Sequence, residues 1–380
     1  MWTSADVAPR VESEPLAQTC GERRDHMEYT QPTIKGRGAT ADPPNRFDRI
    51  EFAPDGDAID AGDVAGPRQT VYLKDHTRSI ITHHDSPDVM IEASINPYRG
   101  CEHGCCYCFA RPTHEYLGFS AGLDFETRIV VKTDAPELLR AELSAPKYKV
   151  EVLSISGVTD CYQPVERKLR ITRGCLEVLA EFRNPVGLIT KNHLVTRDAD
   201  VLADLARDNL AVAVLSITTL DPALSRVMEP RASVPRDRLA AIEMLAKAGL
   251  PMGVMVAPVV PGLTDHEMPA ILNAAASAGA RFAGMVPLRL PYAVAPLFED
   301  WLTRHFPDRK DKVLNRVRSL RGGKLYDASF GKRMTGEGIW ADQLQTMFDL
   351  ASRKAGLDQP LPPLAKDKFR RPRGPQLTLW

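Results

Sequence analysis

Six short runs rich in β-branched residues recur between about residue 88 and residue 290, each followed by a stretch with helical apolar spacing. The runs are Val89 to Ile95, Val150 to Ser156, Val186 to Thr190, Ala211 to Ile217, Met252 to Ala257 and Phe282 to Val286. Ile171, Cys175, Val178, Leu179 and Phe182 share one helix face, which makes Cys175 a core residue. Thr264-Asp265-His266-Glu267 reads as a capping box ahead of Met268, Ile271, Leu272 and Ala275. Repeated βα units demand parallel strands joined by right-handed crossovers. Six units in about 200 residues fall short of the roughly 250 residues and eight strands of a closed barrel. The expectation is an α/β chain folded as a partial, open (β/α)6 barrel.

The flanks differ in character. Residues 1–65 are rich in Pro, Gly, Asp and Arg without apolar period, and read as a disordered or surface-wrapped arm. Within it, Lys35-Gly36-Arg37-Gly38 is a possible phosphate contact whose alternative is a solvated arm. The barrel is assigned to 66–290 and a helical extension to 291–358, with Ile339 to Ala355 as one helix. A basic, Pro-rich tail occupies 359–380. The composition, 43% hydrophobic and 26% charged, belongs to the soluble globular class. Basic and acidic side chains balance at 49 each, so any polyanion contact must be local.

No signal-peptide pattern opens the chain, and the most apolar stretch, Gly249 to Leu263, is interrupted by Pro251, Pro258 and Pro261. It is shorter than the ~20 apolar residues a membrane span requires. The expectation is a cytoplasmic protein without a membrane partner. Seven cysteines, an odd number with four inside eight residues, read as ligands and buried thiols in a reducing compartment.

The four lie in Cys101-Glu102-His103-Gly104-Cys105-Cys106-Tyr107-Cys108, directly after the first strand run. Cys101, Cys105 and Cys108 have the spacing C-x3-C-x2-C with an aromatic before the last cysteine. Three thiolates are one short of a closed zinc or iron–sulfur site. On a 4Fe-4S cluster they leave one iron open to a non-protein ligand. With His103 as a fourth donor they would instead complete a tetrahedral zinc site. In parallel α/β folds chemistry gathers at the C-terminal ends of the strands, which is where this loop falls.

This cysteine pattern resembles the radical SAM superfamily, and in particular the branch similar to spore photoproduct lyase. Further matching runs are Ser156-Gly157-Val158-Thr159-Asp160, Tyr162-Gln163-Pro164, Ile189-Thr190-Lys191, Ser216-Ile217-Thr218-Thr219, Glu229-Pro230-Arg231 and Pro258 to Gly262. The resemblance implies a partial TIM-type barrel and a 4Fe-4S cluster on Cys101, Cys105 and Cys108. It also implies S-adenosylmethionine (SAM) at the open iron and an external one-electron donor. The chemistry implied is reductive cleavage of SAM to a 5′-deoxyadenosyl radical that abstracts hydrogen from a nucleic-acid or nucleotide-like substrate, DNA or RNA.

By position in that pattern, Tyr107 would shield the cluster or approach the adenine, and Gly157 would let the backbone approach the methionine amino group. Lys191 and Ser216 are candidates for the SAM carboxylate and ribose, and Arg231 offers a fork to the carboxylate. Spore photoproduct lyase carries a hydrogen-donor cysteine in this region. Gly157 stands at the matching register here, so Cys161 is either a donor from a shifted position or a buried structural thiol, and Tyr162 either a radical relay or a packing residue. His114 and Glu115 are candidates for positioning substrate. The terminal Gln376-Leu377-Thr378-Leu379-Trp380 resembles the peptide by which bacterial DNA-processing proteins dock on the sliding clamp. Two other classes stay open: a cluster-bearing redox sensor associated with DNA and without turnover, and a zinc-stabilised interaction protein.

Overall fold

The computed structural model of the chain describes residues 34–47, 69–88 and 92–372. Most of the arm, the beginning of the first strand run at 89–91 and the terminal 376–380 motif lie outside the described residues. Ten strands follow in chain order. They are β1 (Val71–Lys74), β2 (Ile81–His83), β3 (Ala93–Ile95), β4 (Tyr98–Arg99), β5 (Arg128–Val131), β6 (Leu153–Ile155), β7 (Val186–Thr190), β8 (Ala211–Ser216), β9 (Met252–Val259) and β10 (Phe282–Pro287).

The main sheet has the order β10-β9-β8-β7-β6-β3-β2. Each of the six strands from β3 to β10 in this sheet pairs in parallel with the next in sequence, as the βα repeat requires. β2 adds antiparallel to β3 at one edge, and Asp358 bridges Phe282 of β10 at the other. The arrangement is the open six-strand barrel expected. All six parallel strands therefore deliver their C-terminal ends to one side. A second sheet, β1-β5-β4, was not read from the sequence, because its strands are too short to show a period.

The expected strand runs are trimmed by local geometry. The second stops at Ile155 because Ser156 takes φ 96°, a conformation that L-residues other than glycine avoid. The helix predicted after it spans Ile171–Phe182 and buries Ile171, Cys175, Val178, Leu179 and Phe182 against the sheet. Its first turn is closed from outside the helix. The Glu166 carboxylate accepts the Thr172 N–H at 3.0 Å and the Arg197 guanidinium at 2.7 Å, placing negative charge at the positive end of the helix.

The capping box at Thr264 does not form. Thr264 Oγ1 accepts the Val260 N–H at 3.0 Å, while the Glu267 carboxylate accepts Thr219 Oγ1 at 2.6 Å and Leu220 N–H at 2.7 Å. A 3-10 turn, Asp265–Glu267, leads instead into the helix Met268–Ser277. Tertiary partners outcompete the local pairing.

Beyond β10 the helices Val294–His305, Pro307–Ser319 and Ile339–Ala355 form the expected extension, the last with the bounds read from the sequence. The first two build a second hydrophobic cluster around Phe298, Trp301, Leu314 and Val317. The Trp301 indole N–H donates to the Val227 carbonyl at 3.0 Å, so this ring is buried without an orphaned donor. The tail then returns across the barrel. Arg370 N–H donates to the Phe182 carbonyl at 2.9 Å, and Phe369 packs near Tyr148 and Phe182. Among the described residues no helix is long and apolar enough to cross a membrane.

The described part of the arm, 34–47, packs against the cysteine loop. The Gly38 and Ala39 N–H groups donate to the buried Glu126 carboxylate at 3.1 and 2.9 Å. Arg37, the candidate phosphate contact, donates to the Glu126 carbonyl at 2.8 Å and to Thr70 Oγ1 at 3.0 Å. A Cβ on Gly38 would lie 1.8 Å from the Gly104 carbonyl oxygen, so only glycine permits this approach. Gly38→Ala should force the arm off the loop and lower unfolding stability by about 1–3 kcal/mol, read from urea denaturation. An unchanged midpoint would contradict this packing.

Candidate active site

The cysteine loop leaves the end of β3 and has little regular structure of its own, so its polar groups need partners from elsewhere. The strand ends supply them. Thr159 Oγ1 and Gln163 Nε2, both after β6, donate to the Gly100 carbonyl at 2.7 and 3.2 Å. Gln163 Oε1 accepts the Glu102 N–H at 2.9 Å. The Cys101 N–H donates to the Phe125 carbonyl and the Cys106 N–H to the Met228 carbonyl. Behind the loop, the fully buried Arg111 donates to the Cys105 carbonyl through Nε (3.1 Å) and Nη2 (2.9 Å), and its charge is met by Glu126.

Two carboxylates, one partly exposed and one buried, tie this frame together. Asp160 accepts Thr190 Oγ1 at 2.7 Å and the Lys191 N–H at 2.8 Å, and lies 3.4 Å from Nδ1 of His103. Burial pushes its carboxyl up, but His103, Thr190 and the Lys191 amide outweigh that and hold it at about 2. Glu229, after β8, takes the hydroxyls of Tyr107 and Thr218 and the guanidinium of Arg238. Burial again acts upward, and Arg238 and Lys191 bring this carboxyl down to about 2.

The residues singled out from sequence are placed unevenly. Cys101 and Cys105 are buried and Cys108 is half-buried, all on this loop and all free of disulfides. Tyr107 is buried with its hydroxyl fixed to Glu229, and the Lys191 ammonium stands 5.9 Å from its ring centroid. Ser216 ends β8, and its carbonyl accepts from Arg238 at 2.9 Å. Gly157 follows β6, where the Val158 N–H donates to Asn96 Oδ1 at 3.2 Å. Arg231 is directed elsewhere. Its guanidinium pairs with buried Glu102 at 3.0 Å, a carboxylate that also accepts the Val165 N–H at 2.7 Å.

For Cys161 and Tyr162 the structure favours the packing alternative over a place at the mouth of the barrel: both are fully buried in the main core. The reason is the turn after β6, in which Asp160 Oδ1 accepts the Tyr162 N–H at 2.9 Å. That turn keeps Asp160 with the cysteine loop, while Tyr162 donates its hydroxyl to Asp198 at 3.0 Å and the Cys161 carbonyl accepts from Thr172. Neither is exposed to a substrate in this conformation. His103 is likewise committed, with Nδ1 facing Asp160 and Nε2 3.0 Å from the Asn192 amide. Among the described residues no three His, Cys, Asp or Glu side chains gather tightly enough to hold a single metal ion.

His114 is buried against Phe119 and Phe125, and desolvation lowers its pKa to about 4; Glu115 pairs with Arg46 at 3.0 Å. Sequence reading passed over Arg111, Glu126, Asp160 and Glu229 as individuals. Arg111, Asp160 and Glu229 did lie in runs that matched the family pattern, which was the available signal.

Asp160 supplies a pH test. Its carboxyl is held below the ordinary 3.8, so its stabilisation is fully present above that value and is lost as pH falls toward 2. The loss is on the order of 2 kcal/mol. In iron-free protein, Asp160→Asn should be less stable at neutral pH, and its urea midpoint should fall less steeply than wild type between about pH 5 and pH 2. Parallel curves would contradict this assignment.

Comparison with known proteins places this frame. The Radical SAM superfamily model matches residues 95–275. An uncharacterised protein of Mycobacterium tuberculosis is 38% identical over 229 residues, covering 60% of this chain and 66% of the relative. One from Methanocaldococcus jannaschii is 27% identical over 173 residues, covering 46% of this chain and 62% of the relative. The chain thus spans just under two thirds of these relatives' lengths. Among solved structures, a spore photoproduct lyase variant superposes with TM-score 0.55 at 17% identity, covering 75% of this chain and 79% of the other. Another form of that lyase, bound to SAM and a dinucleoside spore photoproduct, gives 0.54 at the same identity and coverage. Residues 95–275 thus match the Radical SAM superfamily, and the fold of the chain is like that of spore photoproduct lyase.

Proposed function

We propose that this chain is a radical SAM enzyme acting on a nucleic-acid or nucleotide-like substrate, with a 4Fe-4S cluster held by Cys101, Cys105 and Cys108. The observation that carries the reading is a loop with three free thiols whose neighbouring histidine is engaged on both ring nitrogens. Three soft donors without a protein fourth suit a four-iron cluster with one open iron, and they suit a closed zinc site poorly. The described solved relative binds SAM and a dinucleoside photoproduct, which supports both the cofactor and the substrate class.

When bound, the cluster and SAM would supply a 5′-deoxyadenosyl radical, with the electron coming from an external donor. The protein's part is positioning and exclusion of water. Thr159, Gln163 and Arg111 fix the loop by its carbonyls, and Glu229 locks Tyr107 across the thiols. Lys191 is the cation placed beside Cys105 and Tyr107, and we assign it to the SAM carboxylate in preference to Arg231, which Glu102 occupies. Gly157 and Ser216 keep their proposed places at the methionine amino group and the ribose. Cys161 and Tyr162 are buried in the core and Gly157 stands at the donor register, so the reading does not extend to photoproduct reversal. Sliding-clamp binding through residues 376–380 remains a proposal from sequence.

Protein purified anaerobically should be brown. After reconstitution, dithionite and SAM should yield 5′-deoxyadenosine in wild type, falling to background in Cys105→Ala. A colourless zinc protein, or full activity in the variant, would contradict the reading.

A further inference from the structure

Past the end of β10, the rim beside the cysteine loop carries two guanidinium groups that form no salt bridge with a carboxylate among the described residues. Arg289 is half-buried, and its guanidinium sits 4.4 Å from the ring centroid of Phe109, the residue after Cys108. The one hydrogen bond found for it is from Nη1 to the Met334 sulfur at 3.2 Å, and no carboxylate among the described residues pairs with it. Arg321 is buried nearby. Its Nη groups donate to the carbonyls of Leu288, Lys332 and Arg333, while its Nε is buried without a partner. Arg333 adjoins them but is paired with Asp88.

Burial is the main cause that lowers the pKa of Arg289 and of Arg321; Arg333 adds to it at Arg289 and Arg289 at Arg321, while Tyr326 and Asp88 oppose it at the first and Asp327 and Tyr326 at the second. Two guanidinium groups kept close and partly dry, neither paired with a carboxylate among the described residues, suit an oxyanion, whose geometry their forks match.

Aromatic rings continue from this point along the surface. Phe109 is half-exposed, and Tyr292 is 59% exposed at φ 50°, a backbone conformation that bulky residues avoid. Tyr292 faces Tyr326 at 6.1 Å, and Arg46 lies 4.0 Å from the Tyr292 centroid and within 5.4 Å of Tyr116. Arg46 is already paired with Glu115, so the exposed rings beside the Arg289 guanidinium are what suit a chain that is anionic along its backbone and flat in its side groups. A duplex would keep its bases stacked on each other and leave these rings unused.

We propose that Arg289, backed by Arg321, is a phosphate subsite for single-stranded nucleic acid whose bases stack on Phe109 and Tyr292. The placement of this strand at the reacting end of the barrel rests on the radical SAM reading above; the binding itself does not.

The test uses reconstituted full-length protein and fluorescein-labelled single-stranded DNA and RNA of about 12 nucleotides, followed by anisotropy from about 50 to 200 mM salt. Arg289→Met should weaken binding about tenfold and reduce the slope of log K against log salt by about one. Arg289→Lys should retain the slope and lose part of the affinity. SAM binding by equilibrium dialysis runs in parallel. Loss of SAM affinity with oligonucleotide binding intact would assign the guanidinium to the SAM carboxylate and overturn the proposal. So would unchanged affinity and slope in a variant with wild-type iron content and thermal midpoint, or equal preference for a duplex. Wild type that forms 5′-deoxyadenosine yet binds neither oligonucleotide refutes the subsite and leaves the enzyme; oligonucleotide binding with the Arg289-dependent slope but no 5′-deoxyadenosine does the reverse.

Discussion

An irregular loop that presents three thiols cannot hold its own shape, and the structure depends on where that loop finds its hydrogen bonds. Its carbonyls and amides are satisfied from outside, by Thr159, Gln163 and Arg111 and by the carbonyls of Phe125 and Met228. Asp160 joins His103 of the loop to the end of β7, and Glu229 joins Tyr107 to the end of β8. These contacts can converge only because the six parallel strands all end on the same side. The open barrel is thus the means by which residues far apart in the chain meet around one loop.

The frame is built from buried ions. Glu126 with Arg111 and Glu229 with Arg238 are pairs with almost no exposure on either side. Removing such charges from water is expensive, and well-packed apolar residues would often be as stable. What the pairs provide is geometry, since each carboxylate accepts several donors and so fixes several elements at once. That suits a site whose ligands must be held in place before a cofactor arrives.

The fold was largely legible, because strand and helix signals are local. Six runs of β-branched residues became the six parallel strands, and Ile339–Ala355 could be bounded from sequence. The cysteine spacing was legible for the same reason. The frame around it was not: Tyr107 and Glu229 are 122 residues apart, and Gly38 and Glu126 are 88 apart. No local pattern announces such a pairing. The local pairings and placements that sequence left open share this origin. The Thr264 box lost its glutamate to Thr219 and Leu220, Arg231 turned to Glu102, and one Asx-type turn at Asp160 carried Cys161 and Tyr162 into the core.

The central claim is that three cysteines on a rigid loop hold a four-iron cluster with one iron open to SAM. Electron paramagnetic resonance of the reduced, anaerobically reconstituted protein tests it most directly. Adding SAM should change the spectrum of the reduced cluster, because the ligand set of one iron changes. A cluster signal that is identical with and without SAM would contradict the account.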